Sequence, residues 1–127
     1  MTQEEILEGN RLLADALKMD YQKPNTPIIN KLDEMYIFDY RNNPIEFNQN
    51  WNLLMQAVEK INKMGVDNFG EPNFVIHSDQ SFIYDGDTVE HFIKYVPENG
   101  KLIDAVFFTA VEFIKWLNDK KYGFKFH

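Results

Sequence analysis

The stretch from Leu102 to Asn118 constrains the fold more than any other part of this chain. It reads Leu-Ile-Asp-Ala-Val-Phe-Phe-Thr-Ala-Val-Glu-Phe-Ile-Lys-Trp-Leu-Asn. Leu102, Val106, Ala110, Phe113 and Leu117 fall on one side of a helix. Ile103, Ala105, Phe107 and Ile114 widen that stripe past half the circumference. A helix so apolar needs neighbours on more than one side, which places it in a core. A helix lying on a membrane surface carries a basic polar face, and Asp104, Thr109 and Glu112 do not supply one. No apolar run reaches the ~20 residues that cross a bilayer, so no membrane partner is expected.

A core must form around that helix, and 127 residues with 11 Phe provide the material. That length fits one domain, residues 1–127, on a prior of ~100–200 residues each. A domain of this size buries about two thirds of its unfolded surface and needs no metal or disulfide staple. The chain has no cysteine, which excludes a thiolate nucleophile and a zinc–thiolate site. Its start, Met-Thr-Gln-Glu-Glu, is acidic, unlike the basic start of a signal peptide, and a cytoplasmic protein is expected.

The remaining elements follow from local signals. Thr2 and Glu5 form a capping box for a first helix, striped by Ile6, Leu13 and Leu17 and ending near Met19. Pro24 and Pro27 then require a loop. Glu34 to Tyr40 is rich in aromatic and β-branched residues and reads as a strand, broken by Arg41-Asn42-Asn43-Pro44. A second helix starts at an Asn48 or Asn50 cap and carries Trp51, Leu54, Met55, Val58 and Ile61 at helical spacing. Strands are expected at Asn73–His77 and Ser81–Tyr84, with a turn at His77-Ser78-Asp79-Gln80. Asp85-Gly86 is a hairpin signal. Residues 88–96 carry a helical pattern and a capping box at Asp87 and Glu90, but the hairpin signal and Pro97 favour a third strand. The tail from Tyr122 to His127 alternates apolar and polar, as an edge strand or a partner-seeking strand would. The expected fold is therefore α+β: three helices and a small antiparallel meander, with the C-terminal helix on the sheet.

Catalytic patterns are scarce. There are three histidines, and no H-x-x-x-H or H-x-H pair among them. His77 and Asp79 share a turn, and Asp85, Asp87 and Glu90 resemble a calcium loop but fail on count and order. A hydrolase or metal enzyme centred on His77, Asp79, Asp85 and Asp87 is the least favoured reading. Gly65 and Gly70 have P-loop spacing, but Glu71 stands where lysine is required. Trp51 and Trp116 suit the edge of a core better than ligand stacking. No catalytic residue, metal or cofactor is assigned.

Charge narrows the partners. The net charge is −7, and residues 65–100 alone contribute −6, from seven acids against one lysine. Such a field repels phosphate backbones, so direct nucleic-acid binding is not expected. The candidate binding surface is the acidic segment with Asp79, Asp85, Asp87 and Glu90, together with the tail aromatics Tyr122, Phe124 and Phe126. The expected partner is another protein, a second copy of this chain included.

Three segments carry a resemblance: Asn10-Arg11-Leu12-Leu13-Ala14, the run from Phe47 through Trp51-Asn52-Leu53-Leu54-Met55 to Ile61, and Ala105 to Asn118 through Val111-Glu112-Phe113-Ile114-Lys115-Trp116. In that order they resemble segments of small uncharacterised proteins of phages and Bacteroidetes-type genomes, with N-K-L-I-A, W-x-W-L-M-x-V-V-E-K-I and A-V-V-E-F-I-K-W-Y-N patterns. Asn52 departs where the second tryptophan is usual, and Leu117 where tyrosine is. The resemblance implies an accessory protein, often phage-encoded, with no established activity and no catalytic residue to carry over; together with the missing catalytic patterns and the acidic surface it leads to a non-enzymatic protein that binds another protein. Two alternatives accompany it: an acidic inhibitor that occupies a nucleic-acid site on a host enzyme, and a minor virion component.

Overall fold

The computed structural model describes residues 1–24, 27, 29–64, 72–84, 91–96 and 100–123; for 91–95 and 120–123 it describes the backbone alone. In chain order come α1 (Gln3–Ala16), α2 (Lys31–Met35), α3 (Trp51–Asn62), β1 (Asn73–Ile76), β2 (Gln80–Tyr84), β3 (His91–Tyr95) and α4 (Leu102–Gly123). The fold is α+β. The strands pair antiparallel in the order β1-β2-β3, with Phe74 opposite Ile83 and Ser81 opposite Lys94. α4 packs on this sheet and also meets α1 and α3.

The helix ends follow their sequence signals. Thr2 accepts from the Glu5 N–H at 3.1 Å and donates its own N–H to the Glu5 carboxylate at 3.1 Å, closing the capping box. At the other end α1 stops at Ala16, a turn before Met19. Lys18 sits at φ 56, and the N–H groups of Lys18 and Met19 donate back to Asp15 and Ala14 at 3.0 and 2.9 Å. Those are the two bonds of a Schellman stop. Asn50 caps α3 by accepting from Leu53 N–H at 3.2 Å.

Three expectations are corrected. The described residues contain four helices rather than three, because residues 31–35 form the short α2. Asn30 and Asp33 make a reciprocal capping box there, and that local signal prevails over the strand propensity of Glu34 to Tyr36. The strand expected over Glu34–Tyr40 therefore does not form. Phe38 instead makes single bridges to Gln22 and Pro44, from segments too short and proline-rich to continue a ladder. The edge strand expected at Tyr122–His127 also fails at its start, since Tyr122 and Gly123 are the last residues of α4. Phe124 to His127 lie outside the described residues.

One hydrophobic cluster joins α1, α3, α4, β1, β2 and the segment from Ile37 to Phe47. Phe47, Phe107 and Phe113 are fully buried within it. Burying each contributes roughly 1.5–3 kcal/mol relative to exposure. α4 supplies Ile103, Ala105, Val106, Phe107, Ala110, Val111, Phe113 and Ile114 to this core, as expected of an all-round apolar helix. Across the interface with α1 there is no spare room: a Cβ at Gly9 would lie 2.8 Å from Phe107 Cζ and 2.9 Å from Val111 Cγ2.

The buried polar side chains of Asn10, Ser81 and Thr109 are paired, whereas Arg11 Nε is buried without a hydrogen-bond partner among the described residues. Asn10, 2% exposed, accepts from the Phe47 N–H at 2.8 Å and donates to Asn48 Oδ1 at 3.1 Å. It thereby ties α1 to the chain that leads into α3. Ser81 and Thr109, also buried, bring their hydroxyls to 2.6 Å, and each can donate to Ala105 O, at 2.9 and 2.8 Å. This contact fixes β2 on α4.

Candidate functional site

The sequence-derived candidates do not assemble into one described site. Asp79 lies exposed in the β1–β2 turn, where His77 N–H donates to Gln80 O at 2.8 Å. The Asp79 carbonyl accepts from Val96 N–H at 2.9 Å, so its backbone ties the turn to the end of β3. His77 is exposed and stacks on Phe82 with ring centres 5.3 Å apart. That contact explains the histidine as part of an aromatic row on the sheet face away from α4, continued by Tyr84 at 4.9 Å from Phe82. Asp85, Asp87, Glu90, Phe124 and Phe126 lie outside the described residues, and Tyr122 is placed by its backbone only. Among the described residues no three His, Cys, Asp or Glu side chains gather where they could hold a metal ion.

The described residues also form concave surface between the helices. A slot between α1, α3 and α4, lined by Leu13, Ala57, Ile61 and Ile114 among others, has no room for a water molecule and is a seam of the core. A wider depression of about 370 Å³ between α1 and α4 is bordered by Glu8, Leu12, Lys115, Asn118 and Asp119. Its rim mixes both signs of charge and holds no serine, threonine or histidine. The tryptophans differ: Trp116 is half-buried with its ring centre 5.7 Å from that of Phe113, whereas Trp51 is exposed on α3 near Met55.

The best-defined surface feature is one the sequence signals only as a strand breaker, the turn Asp39-Tyr40-Arg41-Asn42-Asn43. The Asp39 carboxylate accepts from the N–H groups of Arg41 and Asn43 at 2.9 and 2.8 Å, and from the Asn43 side chain at 3.3 Å. Asp39 N–H donates to Asn43 O at 2.9 Å, and Asp39 O accepts from Asn42 N–H at 3.0 Å and from the Gln22 amide at 2.9 Å. Asn42 takes a left-handed φ of 66, which asparagine tolerates better than most residues. These donors, the Asn43 N–H above all, hold the Asp39 carboxyl below the usual aspartate range. The turn displays Tyr40, 72% exposed, beside Arg41. Its local signal was legible: an aspartate followed by two asparagines and a proline is Asx-turn chemistry.

Comparison with protein-family models, curated proteins and solved structures finds no match to this chain. No described helix is long and apolar enough to cross a membrane.

Proposed function

We propose that this chain is a non-enzymatic accessory protein, phage-encoded and working in the host cytoplasm, that acts by binding another protein. The observation that supports this reading best is the Asp39–Asn43 turn. Tyrosine and arginine are the residue types that recur as energetic anchors of protein interfaces. Here Tyr40 and Arg41 stand on a backbone already fixed by six hydrogen bonds. A partner that buries them has little chain entropy left to remove. The resemblance to phage accessory proteins points the same way.

The test places a photo-cross-linking amino acid at position 40 and, as a control, at Glu8, and identifies the products by mass spectrometry. Cross-links from position 40 should converge on one protein that the control does not label. Tyr40→Ala should weaken capture of that protein by about 30-fold or more, the effect of losing an anchor worth roughly 2 kcal/mol, without lowering the melting temperature. Capture unchanged by Tyr40→Ala would remove this turn from the interface.

A second reading, an acidic inhibitor occupying a nucleic-acid site of a host enzyme, is favoured by the charge of residues 65–100 and by the exposure of Asp79. Capture would then fall steeply with added salt and be displaced by a competing oligonucleotide. Salt-insensitive capture would count against it.

A further inference from the structure

We draw no further inference here: the strongest candidate, the aromatic face of the sheet turned away from α4 at Val75, His77, Phe82 and Tyr84, carries nothing because no feature of the structure shows what covers it.

Discussion

At Gly9 the absence of a side chain decides how closely two helices approach. The Phe107 ring and a Val111 methyl occupy the place where a Cβ would stand. Gly9→Ala should therefore destabilise the protein by roughly 1–3 kcal/mol, the usual cost of overpacking, read from urea denaturation. Adding Phe107→Leu, which removes the ring atoms in the way, should recover part of that loss. If the double variant were as unstable as the sum of the singles, the contact would not be the cause. Asn10, the next residue, works by hydrogen bonding to Phe47 and Asn48. Two of the segments that carry the resemblance thus touch each other. Their shared residues have a structural explanation, which leaves them little claim to a separate site.

Local chemistry at the element ends was readable, provided the right signal was given weight. The boxes at Thr2/Glu5 and Asn30/Asp33 follow one rule, but beside the second the aromatic and β-branched run Glu34–Tyr40 favours a strand, and the box prevails. The sequence places the end of α1 near Met19, three residues late, because lysine, not glycine, adopts the left-handed position. Lys18→Gly relieves a left-handed strain of roughly 1–2 kcal/mol and adds about 0.5–1 kcal/mol of unfolded-chain entropy. The net should be a gain of up to about 1 kcal/mol, measurable as a higher melting temperature. A loss would mean that the lysine side chain stabilises this end. The Asp39 turn predicts a pH dependence. Its carboxyl is held below the ordinary value of 3.8, chiefly by the Asn43 N–H. Its contribution is thus complete above the unfolded pKa and is lost as pH falls through the lower folded value. Asp39→Asn should flatten the acid side of a stability–pH curve; an acid limb identical to that of the parent would show that the turn contributes nothing there. Glu5, lowered by its bonds to Thr2, acts in the same direction.

Over the whole molecule, α4 lies between the sheet and the helical layer of α1 and α3. The Ser81–Thr109 contact sits in the sheet-side seam. Two hydroxyl protons meet four oxygens there: one bridges the pair, the other goes to Ala105 O, and Thr109 Oγ1 also lies 3.4 Å from Ser81 O. Ser81→Ala or Thr109→Val removes one bond and should cost about 0.5–1.5 kcal/mol. Each single variant leaves the other hydroxyl donating to Ala105 O, and replacing both removes that bond as well, so the double variant should lose about the sum of the singles in a denaturation cycle. A single variant that lost as much as the double would show that the surviving hydroxyl does not keep its bond to Ala105 O. By contrast the described residues hold one ion pair, Lys31 to Glu4 at 3.4 Å, and it is exposed. Pairs of that kind contribute about 0–1 kcal/mol, so this fold rests on packing.

The sequence by itself determined the helices whose apolar stripes and caps are local, and it determined that α4 is core, because an all-round apolar helix has nowhere else to go. It also determined the acidic charge and the absence of any thiol chemistry. Only the tertiary structure decided what lies against those faces: Gly9 under Phe107, Asn10 beneath Phe47, and Ser81 on Thr109. It also decided that Ile37 and Phe47 enter the core from a segment with no regular ladder. The three pairings join residues 28 to 98 apart, from Ser81 with Thr109 to Gly9 with Phe107. A local pattern carries no record of contacts at that distance.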